Sequence, residues 1–212
     1  MNLDKKLVYD WMGTNEWLFK EINSFSGDPL YNSFMVFLTN LGDYRNFHFV
    51  MSALLIIAIF EYLSRKILKR GGAEASLRIW LGVFLVLVGS HVASQLTAKH
   101  IKEDFQYPRP YVTVEGTKLL VPRRGAEDDY RSFPSGHATH ITVIVVSLWP
   151  ILVGRAPIIG ALLIFGVCWS RVAVGMHYPA DIVGGFLIGF IVVLLIRWTL
   201  YTLLFKLFKL KC

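Results

Sequence analysis

A chain of 212 residues, 54% of them hydrophobic, with a mean hydropathy of +0.49, is about one domain and too apolar for a soluble one. Its net charge of +7 does not point to nucleic acid, because the cations sit in short loops beside apolar blocks and near the C-terminus, where they set membrane orientation. Cys168 in an apolar block and Cys212 at the end give no disulfide framework, thiolate metal site or prenylation signal.

In chain order, Met1–Asn15 is polar, without a cleavable signal pattern. Trp11, Trp17, Leu18 and Phe19 among Lys20, Glu21 and Asn23 predict an amphipathic interfacial helix with aromatic anchors. After a turn at Ser26–Pro29, the apolar piece Leu30–Leu41 is too short to span alone. It is either half of a tilted first span or a segment lying in the interface. Phe47–Leu63 reads as the first clear span, with Glu61 placed to reach the headgroups. Ser64–Arg78 follows as a cationic loop, with Arg65, Lys66, Lys69, Arg70 and Arg78 against Glu74 alone.

Ile79–Ala98 is the second span, and the spacing of Ser90, His91, Ser94 and Gln95 puts them on one face looking into the bundle. For His91 an interhelical hydrogen bond is favoured over a catalytic role. Lys99 and His100 read as an interfacial collar. The long polar connection Lys102–Pro134 marks a functional loop, in which Tyr111–Val114 and Thr117–Val121 about Glu115-Gly116 predict a small β-hairpin closed by Pro122. Arg123 and Arg124 are solvated charge or a headgroup contact, the former slightly preferred. Ala138–Val153, Pro157–Val174 and Asp181–Ile196 complete five spans, or six if Trp17–Leu41 crosses. Thr199–Cys212, with Lys206, Lys209 and Lys211, is a basic interfacial tail. The expectation is therefore one all-α polytopic membrane domain over residues 1–212: an N-terminal region (1–45), the motifs (102–181) and the tail (198–212).

The polar residues costly in such a protein lie at four span ends. Lys102 and Arg109 follow span two, Ser135 and His137 begin span three, Arg171 ends span four, and His177 and Asp181 precede and begin span five. Antiparallel neighbours joined in that order bring the four ends to one membrane face. Pro134-Ser135-Gly136-His137 is by itself no more than a capped turn. Its serine is a good N-cap, however, and a helix N-terminus is an anion site. Three cations, a helix N-terminus and two histidines, with too few carboxylates to balance a divalent ion, suit a phosphate dianion. One imidazole, its tautomer fixed by Asp181 four residues after His177, is able to attack phosphorus. The other, His137, is placed to protonate a leaving group and then accept a proton from water.

These residues resemble the three-part signature of the type 2 phosphatidic acid phosphatase superfamily. Lys102 through Arg109-Pro110 matches its first motif, Pro134-Ser135-Gly136-His137 its second, and Ser170-Arg171, His177 and Asp181 its third, without departure at any motif position. The resemblance is tight from Lys102 to Asp181. It implies that Lys102, Arg109 and Arg171 hold phosphate oxygens with Ser135, the Gly136 amide and Ser170. It further implies that His177, oriented by Asp181, becomes a phosphohistidine, that His137 is the general acid, and that no metal or other cofactor is needed. The superfamily also contains soluble acid phosphatases and vanadium-dependent haloperoxidases, against which the spans argue.

The expected activity is hydrolysis of a membrane lipid phosphate, with undecaprenyl diphosphate preferred as substrate. Phosphatidylglycerophosphate and lipid A are the alternatives, and a non-catalytic lipid-binding or lipid-moving protein is the rival from another class. Neither a nucleic-acid nor an obligate protein partner is expected. The expected location is a bacterial cytoplasmic membrane with the site facing the periplasm or exterior, since the cationic Ser64–Arg78 belongs inside.

Overall fold

The computed structural model describes residues 9–208 except 124, without the side chains of 204–208. It is an all-helical bundle, with no strand among the described residues. Helix α1 spans Thr14–Ser24, α2 Pro29–Leu41, α3 Phe47–Ile67, α4 Ala73–Phe105, α5 Gly136–Leu148, α6 Ala156–Ala173 and α7 Pro179–Phe208. Four helical stretches are long and apolar enough to cross a membrane, Tyr44–Ile67, Ala73–Thr113, Ala156–Ala173 and Pro179–Leu203, and Gly136–Ile151 is a shorter apolar one. The chain is an integral membrane protein.

Helix α5 is the axis of the bundle, and every residue from His137 to Ser147 is buried. Lipid is as apolar as leucine, so close packing rather than water exclusion joins α5 to its neighbours. Gly185 and Gly189, four apart on α7, supply that approach. A Cβ on Gly185 would lie 2.5 Å from the Ser135 carbonyl oxygen, and one on Gly189 would lie 2.8 Å from that of Thr139. On the other flank Val86 and Leu87 of α4 meet Val143, Ile144 and Val146 of α5 and Val193 of α7.

Helix α4, 33 residues and about 50 Å long, carries its last turn beyond the apolar zone and so delivers Lys102 to the site. Helix α3 faces lipid almost all round, with Ala58 its one buried residue. Glu61 ties α3 to α4 by accepting hydrogen bonds from Ser76 Oγ and Trp80 Nε1, each 2.9 Å. His91 stacks on Phe47 with centroids 3.8 Å apart, in place of the expected interhelical hydrogen bond through Nδ1.

The segment Trp17–Leu41 is two helices broken at residues 25–28. Both lie at the end of the bundle where the motifs meet. Asn15 Oδ1 accepts from the Ala180 amide at 2.9 Å, and Asn23 Nδ2 donates to the Lys118 and Ala173 carbonyls. Helix α2 packs along the end of α6 through Met35 against Ala173, Val174 and Met176.

The expected β-hairpin at Tyr111–Val121 is absent. Pro110, with its fixed φ, opens a single helical turn over Pro110–Thr113, closed by the Val114 amide on the Pro110 carbonyl. The amides that a partner strand would have paired go elsewhere: Lys118 N donates to Asn23 Oδ1 and Leu120 N to the Val174 carbonyl. The expected basic tail is continuous with α7 as far as Phe208, and Lys209, Lys211, Cys212 and Arg124 lie outside the described residues. Arg123 pairs with Asp129 at 2.6 Å and covers the Tyr111 ring, so it fastens the loop.

Candidate active site

The C-terminal ends of α4 and α6 and the N-terminal ends of α5 and α7 converge at one end of the bundle, around a cavity of about 190 Å³. Lys102, Arg109, Gly136, His137, Arg171 and His177 all line it. Each cation is held in place by its surroundings. Lys102 Nζ donates to the Arg131 carbonyl at 2.7 Å. Arg109, 3% exposed, donates through Nε to the Asp128 carbonyl, through Nη2 to Asp128 Oδ2 at 2.8 Å, and through Nη1 to the Met176 carbonyl. Arg171 Nη1 donates to Thr39 Oγ1 at 2.7 Å, a contact reaching back to α2. Three buried or half-buried cations around one small cavity form a receptor for an anion with several oxygens.

Ser135, Ser170 and Asp181 stand behind the wall. Ser135 caps α5, its Oγ accepting from the Ala138 amide, and its own amide donates to the Asp181 carbonyl at 3.0 Å. It thereby fixes the direction in which the first turn of α5, with Gly136 and His137, opens onto the cavity. Ser170 donates to the Val167 carbonyl of its own helix at 2.7 Å, so its hydroxyl is spent within α6 rather than aimed at an anion.

The state of His177 follows from its two ring contacts. Nη1 of Arg109 lies 3.1 Å from Nε2, and Asp181 Oδ2 lies 3.2 Å from Nδ1. A guanidinium only donates, so Nε2 carries the lone pair and Nδ1 the proton, which it gives to the carboxylate. Burial, reinforced by the positive charge of Arg109, Arg171 and Lys102, holds the His177 pKa well below the ordinary histidine value. The result is a neutral imidazole whose nucleophilic nitrogen faces the cations.

Asp181 is fully buried and its carboxylate is fixed on both oxygens. Oδ2 also accepts from Ser132 Oγ at 2.5 Å and the Tyr178 amide at 2.9 Å, while Oδ1 accepts from the Tyr9 hydroxyl at 2.7 Å. Burial and then the adjacent Asp181 charge push the Tyr9 pKa up, so its hydroxyl remains a donor. The Tyr9 ring is stacked on Tyr107, centroids 4.0 Å apart. Tyr9, Thr39, Asp128 and Ser132 are the site residues that motif reading does not find. Ser132 alone has a local signal, since it immediately precedes the Phe133–His137 turn.

Chemically, the arrangement offers anion binding, a neutral nucleophilic nitrogen with its counter-carboxylate, and a second histidine at a helix N-terminus. The family model of the PAP2 superfamily matches residues 83–204. The chain is similar to the undecaprenyl-diphosphatase of Sulfolobus acidocaldarius, with 34% identity over 84% of this chain and 74% of that one. It is also similar to the undecaprenyl-diphosphatase BcrC of Bacillus subtilis, with 28% identity over 84% of this chain and 80% of the relative. Among solved structures, LpxE of Aquifex aeolicus superposes with a TM-score of 0.65 at 25% identity, over 86% of this chain and 94% of that one. With its matched segment containing all three motifs and their convergence on one cavity, the chain belongs to the PAP2 superfamily and is a membrane lipid phosphatase.

Proposed function

We propose that the protein hydrolyses undecaprenyl diphosphate through a phosphohistidine on His177. The observation that carries the mechanism is the pair of contacts on His177, Arg109 at Nε2 and Asp181 at Nδ1, which leaves a lone pair facing an anion receptor. The terminal phosphoryl group occupies the place among Lys102, Arg109 and Arg171, with the α5 N-terminus behind it. Nε2 attacks phosphorus while the bond to the bridging oxygen breaks, and His137 supplies the proton that oxygen needs. Asp181 balances the imidazolium charge that forms. Water then attacks the phosphohistidine, His137 takes the water proton, and inorganic phosphate leaves with Nε2 restored. The positive charge that a metal would supply comes here from side chains.

The polyprenyl substrate is favoured by the two undecaprenyl-diphosphatase relatives, each similar over more than four-fifths of this chain. The test is phosphate release by detergent-solubilised protein from undecaprenyl diphosphate, phosphatidylglycerophosphate and lipid A. The diphosphate should give the highest kcat/KM and His177→Ala should give none. A preference for another lipid would replace the substrate, and binding without release would make the protein a lipid carrier rather than an enzyme.

The site faces the exterior in this reading, in a bacterial cytoplasmic membrane. Arg65, Lys66, Lys69, Arg70 and Arg78 mark the opposite end of α3 and α4 as the inner side. The connection 102–134 carries six Lys/Arg and six Asp/Glu, and so has little charge bias against export. The N-terminal segment, held at the site end by Asn15 and Asn23, is then exterior as well. In intact cells lacking Cys168 and Cys212, Gly116→Cys should react with an impermeant maleimide and Gly72→Cys should not. The reverse pattern would put the chemistry inside.

A further inference from the structure

The cavity has a second, unassigned cationic corner. Besides the motif cations it is lined by Lys99 and Arg131, together with Gln95 and Tyr44. Gln95, Lys99 and Lys102 occupy one stripe of α4, at i, i+4 and i+7, so Lys99 stands one turn from Lys102 on the same wall. Arg131 is placed beside them by its own backbone, because its carbonyl holds Lys102 Nζ at 2.7 Å. Its guanidinium reaches Glu103 at 3.2 Å in a half-exposed pair, which is weak enough to be exchanged for a better anion. Lys102, Arg109 and Arg171 form a receptor for one phosphoryl group, and their fixed contacts leave none of them free to follow a second.

We propose that Lys99 and Arg131 form the subsite for the second, non-transferred phosphate of a diphosphate ester, and so set the preference for diphosphates over monophosphates. This rests on the phosphatase reading above, and it names the residues that read the headgroup. During transfer the Nε2–P bond forms, the bond from the terminal phosphorus to the bridging oxygen breaks, and its electron pair stays on the departing phosphate monoester. That group gains charge beside Lys99 and Arg131, which therefore act on binding and on the rate. A monophosphate ester places no charge in this corner.

The test uses full-length protein in detergent. Binding of methylenediphosphonate, a non-hydrolysable diphosphate mimic, is compared with binding of orthophosphate by calorimetry. The wild type should bind the diphosphonate at least tenfold more tightly, and Lys99→Ala/Arg131→Ala should bring the ratio close to one while orthophosphate affinity changes less than threefold. A wild-type ratio near one, or a ratio the substitutions leave unchanged, overturns the subsite. In a second arm, kcat/KM for farnesyl diphosphate should fall about a hundredfold in the double variant, roughly tenfold for each charge-assisted contact. That for farnesyl phosphate should stay within threefold. Equal losses on both esters, or none, overturn the proposal. A wild type that binds the diphosphonate as expected but cleaves no prenyl diphosphate overturns the polyprenyl reading and leaves the subsite standing. Lys99→Arg should restore the diphosphate preference, which removal of a merely structural lysine would not require.

Discussion

Asp181→Asn removes one charge from the centre of the site while keeping the shape that holds it. The amide oxygen is able to take the place of Oδ2, where the Ser132 hydroxyl and the Tyr178 amide already donate. The amide nitrogen then faces the Tyr9 hydroxyl, which turns to accept. What is lost is the carboxylate opposite the imidazolium that forms when His177 takes the phosphoryl group. With Nδ1 and Oδ2 3.2 Å apart and the charge centres roughly 4 Å apart, the attraction at an effective dielectric of about 20 is on the order of 4 kcal/mol. The neutral ground state does not feel it, so the loss falls on the transition state, and kcat should drop about a thousandfold. Asp181 does not line the cavity, so KM should stay within threefold. The assay is steady-state phosphate release, with melting temperature measured alongside. A variant that keeps a tenth or more of the wild-type kcat, with the fold intact, would refute the assignment of Asp181 as the partner of His177.

Tyr9→Phe keeps the ring stacked on Tyr107 but frees Oδ1 of Asp181. The carboxylate becomes a stronger acceptor for the His177 proton and balances the imidazolium better, so kcat should hold or rise, by up to about tenfold, with KM unchanged. In the wild-type enzyme the depressed His177 pKa places the acid limb of kcat/KM below about 6.5, activity being lost only as pH falls through the depressed value. Tyr9→Phe should move that limb upward, and an unmoved profile would make Tyr9 a packing residue only. His137→Ala should slow release of an alkoxide-type leaving group far more than that of an aryl phosphate, and equal losses would remove it as the acid. Gly189→Leu should destabilise the fold by about 1–3 kcal/mol, because its Cβ would meet the Thr139 carbonyl. Gly82→Leu, with open space at its Cβ, is the matched control in detergent melting. Chelator should leave turnover unchanged while orthovanadate inhibits, and magnesium-restored activity after chelation would contradict a site whose positive charge comes from side chains.

Much of the site was legible because its chemistry is concentrated at helix ends. Successive spans alternate in direction, so Lys102, His137, Arg171 and His177 could be assigned to one membrane face from order alone. The contacts that fix the site were not legible, because they come from segments with no periodicity of their own. Tyr9 lies 172 residues from the carboxylate it touches, in a stretch that reads only as polar. Thr39 meets Arg171 because α2 folds back over α6; the turn at Ser26–Pro29 is legible, but the side on which α2 then packs is not. The hairpin expectation failed for a related reason. The alternation in Tyr111–Val121 is real, but Asn23 and Val174 supply the backbone partners that a second strand would have supplied.

The central claim is that phosphorus passes through Nε2 of His177. Mixing the enzyme with ³²P-labelled lipid diphosphate, quenching within the first turnover in alkali and mapping the labelled peptide tests it directly. A base-stable, acid-labile label on the peptide containing Met176-His177-Tyr178, absent in His177→Ala, is the expected result. Label on the His137 peptide, or full turnover with no labelled protein at any quench time, would contradict it.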